Sequence, residues 1–181
     1  METILLPDIV ARCRASDRKA QEQIFRTYYG DFLKICLRYA NDQQDAEAIL
    51  SDSFFKIFTK IDSYNGTGHF EAWMRRIVVN TCLTYFRNHN GAYSTTSLSD
   101  TDTEPTNAPN LQSTNEAFSR LGMQELIKLI QLLPPMSRTV FNLYIFEGFS
   151  HKEIAAQLGI TEGTSHWHLS SARQWLKKKI Q

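Results

Sequence analysis

The stretch Ser150–Arg173, SHKEIAAQLGITEGTSHWHLSSAR, decides the reading of this chain. Ser150 and Glu153 form S-x-x-E, a capping box that opens a helix. Ile154, Ala155 and Leu158 give that helix an inner face, and the small Ala155 permits close crossing by a neighbour. Gly159 stands where a left-handed turn residue is needed, and Thr161 is placed to cap a second helix. At about 100° per residue, Ser165, Leu169, Ala172 and Leu176 share the face that packs inward. Trp167, Ser170, Ser171 and Gln174 fall opposite; His166, Arg173 and Lys177 lie on one flank, Thr164 and His168 on the other. Two short helices around a tight turn also make an ordinary helical corner. As a helix-turn-helix, the outward face enters the major groove while the flanks meet phosphates.

Charge complicates a DNA-binding reading, because His-Trp-His occupies positions where Lys or Arg is expected. The 181-residue chain carries 20 Lys+Arg against 19 Asp+Glu, a net charge of +1. A protein that grips DNA unaided usually shows a basic excess. The excess here is local: residues 116–181 hold 8 basic and 5 acidic side chains, with Lys177, Lys178 and Lys179 crowding the end. His166 and His168 point about 200° apart on a helix and cannot chelate one ion, so no metal site is expected. No cofactor, small-molecule substrate or enzymatic activity is expected either, because no phosphate-binding glycine loop and no nucleophile constellation is present.

Residues 90–114 separate the chain into two blocks. The stretch is rich in Ser, Thr, Asn, Asp and Pro and contains no Lys or Arg, the composition of a flexible linker. Residues 1–89 show helical spacing in Ile24, Tyr28, Phe32, Ile35 and Tyr39, and again in Ala46, Ile49, Leu50, Phe54, Ile57 and Phe58. DSYNGTG, residues 62–68, interrupts the pattern, which resumes through Phe70, Trp73, Met74, Ile77 and Leu83. In residues 115–181 a helix is predicted from Asn115 to Leu133, stopped by Pro134 and Pro135, with a short helix SRTVFNLYIF before the opening stretch. The predicted fold is all-α: two small helical domains, the second containing the helix-turn-helix. Three scattered cysteines, Cys13, Cys36 and Cys82, read as free thiols of a cytoplasmic protein, and no signal peptide or membrane-length apolar run is present.

These motifs carry a resemblance. LPPMSRTVFNLYIFEGFSHKEIAAQLGITEGTSHWHLSSARQWL resembles the promoter −35 reading domain of bacterial RNA polymerase sigma factors of the extracytoplasmic-function class. DAEAILSDSFFKIF is similar to that family's polymerase-binding helix, usually D-A-E-D-L-V-Q-E-x-F. FEAWMRRIVVNTCLTYFRN is similar to its −10 reading helix, usually f-x-x-W-L-x-x-I-x-x-N. The resemblance implies a subunit that binds core RNA polymerase and promoter DNA and is often held by an anti-sigma factor or another regulator. It implies polymerase contacts at Asp45, Glu47, Asp52 and Phe55, although Phe55 fits a core position as well. It also implies capture of single-stranded −10 DNA by Tyr64, Asn65, Arg75, Arg76, Asn80 and Arg87, since unstacked bases need aromatic platforms and hydrogen-bond partners. Trp73 fits both a core role and a melting wedge.

The departures are specific. Ala48 and Ser51 replace an acidic residue and a Gln. Ser165 replaces an inward Val, which is expected to weaken packing. His166 and His168 replace basic residues, and contact with phosphate would favour their protonated forms. Upstream-element binding is then expected to strengthen as pH falls from about 7.5 towards 6; the plainer reading makes both histidines uncharged spacers. Weak basicity suits a subunit whose polymerase supplies nonspecific affinity. Two other readings share features with the sequence: a response-regulator-type activator with the S-x-K-E-I-A-x-x-L pattern, and a sigma-like interaction module that does not read DNA.

The composition break generates the first prediction. Limited proteolysis of the intact chain should cut first between about Ala92 and Thr114. Earlier cutting within residues 1–89 or 115–181 would contradict the boundary.

Overall fold

The computed structural model describes residues 6–66, 69–89 and 122–180. The predicted linker at 90–114, the first part of the helix predicted from Asn115, and Gly68 lie outside the described residues. Eight α-helices are present among the described residues: α1 (Leu6–Arg14), α2 (Arg18–Tyr39), α3 (Gln43–Thr59), α4 (Phe70–His89), α5 (Met123–Gln131), α6 (Pro135–Ile145), α7 (His151–Leu158) and α8 (Glu162–Ile180). A 3-10 turn, Ile61–Ser63, follows α3, and no strand occurs among the described residues. The fold is all-α. Contacts divide the chain into two compact units between Tyr85 and Phe86, inside the last turns of α4.

In the first unit, short carboxylates fix the starts of α2 and α3. Asp17 caps α2, accepting from the Lys19 N–H at 2.9 Å, and pairs with Arg12 at 2.8 Å, which ties the end of α1 to the start of α2. Sequence periodicity did not single out α1 or this join. Asp42 caps α3 by accepting from the Asp45 N–H at 2.8 Å. Helices α2 and α3 then pack through aromatic rings, with Phe54 4.7 Å from Phe25 and 5.8 Å from Phe32 between centroids. Ile24, Leu50, Ile57, Met74 and Val78 complete a dry interior. Beyond the 3-10 turn, Tyr64 lies 5.1 Å from Phe70 and 5.6 Å from Trp73, so the interrupted segment is anchored to the first turn of α4.

In the second unit the proline pair has two roles. It ends α5, and Pro135 also occupies the first position of α6, where its missing N–H costs nothing and its fixed φ favours the helix. The short helix therefore begins two residues before the predicted Ser137. Val140, Phe141 and Leu143 of α6 are buried, and they meet Ile154 of α7 and Leu169, Ala172 and Leu176 of α8 in one interior. The capping box forms in both directions: the Ser150 N–H donates to Glu153 Oε2 at 2.8 Å, and the Glu153 N–H donates to Ser150 Oγ at 3.3 Å. Helix α7 ends at Gly159, φ 69° and ψ 32°, whose N–H bonds the Ala155 carbonyl at 2.9 Å. Thr161 Oγ1 accepts from the Thr164 N–H at 3.1 Å and starts α8.

Gly159 allows the conformational cost to be isolated. A Cβ there would meet nothing within 4 Å, so Gly159→Ala adds left-handed strain without a clash. The substitution should destabilise the chain by about 1–2 kcal/mol, read as a lowered denaturation midpoint. An unchanged midpoint would show that the turn relaxes into another geometry.

Candidate nucleic-acid interface

Helix α8 buries Ser165, Leu169, Ala172 and Leu176, the stripe expected from its spacing. The opposite side therefore faces outward. Trp167 is 58% exposed and Gln174 is exposed, while Ser170 and Ser171 are half-buried. Trp167 is a large apolar ring left in solvent on a helix that has a well-filled inner face.

The two histidines do not behave as matched flanking charges. His168 Nδ1 lies 2.9 Å from Ser137 Oγ on α6, and the ring is half-buried. Burial holds its pKa below the ordinary histidine value. The contact with Ser137 holds the ring against α6. The ring also meets Trp167 at a steep angle, with centroids 4.8 Å apart, and braces the exposed indole. Thr164 is also engaged, its Oγ1 lying 2.8 Å from Thr161 Oγ1 within the helix cap.

On the other flank a continuous stack joins three helices. His166 stacks on His151 of α7 at 3.6 Å, His151 on Tyr144 of α6 at 4.6 Å, and the Arg173 guanidinium lies 5.7 Å from the Tyr144 ring centroid. His151 is buried, and its Nδ1 lies 2.9 Å from Ser165 Oγ. Burial first, and His166 second, hold the His151 pKa low; burial also lowers that of Arg173. Ser165 is therefore not a packing defect. It gives up a Val side chain but supplies the partner that a buried imidazole needs. Of the three flank residues, His166 and Lys177 are exposed and Arg173 is half-buried, held against Tyr144. Sequence reasoning missed His151, Ser137 and Tyr144. The available signal was the polar Ser165 on an otherwise apolar stripe.

Helices α3 and α4 each offer a surface. On α3, Phe55 is 70% exposed and lies opposite the buried face of Ala46, Ile49, Leu50, Ser53, Phe54 and Ile57, which excludes a core role. Asp52 pairs with Lys56 at 2.6 Å, Glu47 accepts from Gln43 at 2.8 Å, and Asp45 Oδ2 accepts from the Tyr85 hydroxyl. At about 100° per residue, Asp45 and Asp52 fall on one side of Phe55 and Glu47 on the other.

On α4, the same spacing of about 100° brings Arg76, Asn80 and Arg87 within about 40° of one another and puts Arg75 about 100° from Arg76. All three of the former are exposed. Arg75 instead lines an open pocket with Tyr28, His69, Phe70, Glu71 and Ala72. Tyr64, expected from sequence as a stacking platform, is 7% exposed and packed in its aromatic cluster. Asn65 and Gly66, which follow it, are exposed. Trp73 is half-buried and stacked on Phe70 at 5.6 Å. No helix among the described residues is long and apolar enough to cross a membrane.

Comparison with known proteins gives concordant results. Residues 24–91 match the family model for Sigma-70 region 2, and residues 123–176 match that for Sigma-70, region 4. The chain is 30% identical over 156 residues to the ECF RNA polymerase sigma factor SigE of Mycolicibacterium smegmatis, covering 86% of this chain but 60% of that protein. It is 24% identical over 178 residues to the RNA polymerase sigma-H factor of Pseudomonas aeruginosa, covering 96% of this chain and 92% of that one. Among solved structures it resembles the sigma factor RpoE of Bartonella quintana, crystallised with the anti-sigma factor NepR. The TM-score is 0.50 at 20% identity, over 87% of this chain and 94% of that one.

The imidazoles of His151 and His168 set a pH dependence. Because folding lowers the pKa of His151 and His168, the unfolded chain binds more protons as the pH falls through the ordinary histidine value of about 6.5. Their neutral forms contribute fully above that value, and the contribution is lost progressively below it. The melting temperature should drop between pH 7.5 and 5.5, and the His151→Asn, His168→Gln double variant should show a shallower drop. Parallel profiles for the two proteins would contradict this assignment.

Proposed function

We infer that this chain, which belongs to the sigma-70 family and to its extracytoplasmic-function class, binds core RNA polymerase and directs promoter-specific initiation of transcription. The observation that carries this reading is the ordered pair of sigma-70 regions in one chain, the second holding a helix-turn-helix with its outward face free of packing duties. Residues 1–89 form the polymerase-binding and −10 reading domain, residues 90–114 the linker, and residues 115–181 the −35 reading domain. The chain supplies no bond-making chemistry of its own; that belongs to the polymerase, with which it works in the cytoplasm. The Bartonella protein was crystallised with an anti-sigma factor, and a regulatory partner of that kind is part of the reading.

Each surface has a role that suits its chemistry. Phe55, standing out from α3 beside Asp52, docks on the polymerase, with Glu47 on its other side; Asp45 contributes by fixing the helix start through Tyr85. Arg76, Asn80 and Arg87 meet the separated −10 strand, and Asn65 contacts an unstacked base. Trp167, with Ser170, Ser171 and Gln174, faces base edges of the −35 element. The indole covers a thymine methyl, and the Gln174 amide pairs with adenine. Arg173, Lys177 and His166 act through phosphate and carry no sequence information.

Reconstitution with core polymerase separates these roles. Phe55→Ser should reduce holoenzyme assembly, measured by competition for core, while the melting temperature stays constant because the side chain is solvent-exposed. Lys177→Ala should weaken every promoter similarly and reduce the salt slope by about one. Unchanged assembly in the Phe55 variant would remove α3 from the polymerase contact.

A further inference from the structure

We propose that Arg14, the last residue of α1, is a positioning residue for the −10 reading segment, holding the turn after α3 in the shape that presents Asn65. The proposal rests on the reading of Asn65 above, and it gives a role to a helix lying ahead of the sigma-70 match, which begins at residue 24.

The geometry starts with the attachment of α1. Its apolar side, Ile9, Val10 and Cys13, is buried, and the helix packs on both α2 and the 3-10 turn Ile61–Ser63. Its end is locked a second time: Arg12 pairs with Asp17, and the Asp17 N–H donates to the Arg12 carbonyl at 3.0 Å. Arg14 therefore projects from a fixed base. Its guanidinium donates to the Tyr64 carbonyl and lies 3.8 Å from Asp62. A planar fork with five N–H groups can meet both acceptors, which a lysine ammonium on a flexible stem does less well. Asp62 is largely exposed, so the ion pair is screened and the carbonyl bond carries most of the constraint.

Tyr64 is thus gripped from two sides. Arg14 holds its backbone, while Phe70 and Trp73 of α4 hold its ring. Its N–H also bonds the Ile61 carbonyl at 3.2 Å, which closes the turn. Asn65 follows directly and is exposed, and Gly66 adopts φ 78°, which leaves the backbone open to close approach. A segment that must be ordered only on binding weakens capture by the cost of that ordering; one already fixed does not. The α1 brace provides this order before DNA arrives.

Two measurements test the brace. In the full chain, Arg14→Ala should accelerate hydrogen exchange at the Ser63 and Tyr64 amides and leave the central amides of α3 and α4 unchanged. In reconstituted holoenzyme, initiation is compared on promoters with single substitutions in the −10 element. Asn65→Ala first identifies the base position that Asn65 reads. Arg14→Ala should reduce discrimination at that position by about threefold to tenfold, the range of one ordinary hydrogen bond, with core affinity unaltered. Arg14→Lys, which keeps one donor, should restore part of it. If Asn65→Ala relaxes discrimination but Arg14→Ala does not, the positioning role is overturned while the reading of Asn65 stands. If Asn65→Ala relaxes no position, the reading of the segment fails and the proposal fails with it. A loss of core affinity in both Arg14 variants, with unchanged turn exchange, would make the residue merely structural and would also overturn the brace.

Discussion

Burial of one narrow stripe of α8 governs the second unit. Leu169, Ala172 and Leu176 lie against α6 and α7, and Leu176 is fully enclosed. Burying a leucine side chain of this kind is worth about 1.5–3 kcal/mol, so the helix cannot rotate without losing its attachment. Once that stripe is fixed, the 3.6-residue period leaves no choice about which side chains face outward. Trp167 and Gln174 are exposed for the same reason that Leu169 is buried. The left-handed turn at Gly159 and the Thr161 cap set where the helix begins, and hence the register of the whole face.

Ser165 links this packing to electrostatics. It stands on the buried stripe, and it gives His151 a hydrogen-bond partner at 2.9 Å. His151 in turn separates His166 from Tyr144 in the stack that ends with Arg173. A second pair, Ser137 with His168, ties the other side of α8 to α6, and the His168 ring meets that of Trp167. Two imidazole–hydroxyl contacts, His151 with Ser165 and His168 with Ser137, stand among the fixings of the helix in place of a larger aliphatic contact. This gives α8 a defined orientation although its buried stripe carries no permanent charge. The proposed work of grip falls to Lys177 and Arg173 and to the polymerase that carries the chain.

Much of this was legible in the sequence because its cause was local. The capping box at Ser150 and Glu153, the turn at Gly159 and the stripe from Ser165 to Leu176 depend on neighbours a few residues away, and spacing reveals such relations. The features that escaped depend on distant residues. His151 meets Ser165 across 14 positions, His168 meets Ser137 across 31, and Arg14 meets Tyr64 across 50. Nothing in residue type alone showed that Tyr64 would be consumed by its aromatic cluster or that His168 would turn inward. A histidine drawn on a helical wheel has a direction but no surroundings, and its burial against other helices holds it neutral. Arg75 and Arg76 show the opposite case: adjacent in sequence, they were grouped for one role, yet helical geometry alone puts them on different faces.

In the proposed function, the outward face of α8 reads the upstream promoter element while the buried stripe merely fixes it. The most direct measurement is a selection of active promoters from a pool randomised across both elements, using holoenzyme reconstituted with the full chain. Trp167→Ala and Gln174→Ala holoenzymes should each select a changed upstream element, relaxed at one or two adjacent base pairs, with the downstream element unaltered. Upstream preferences identical to those of the unmodified chain would show that a different face of the domain reads the DNA.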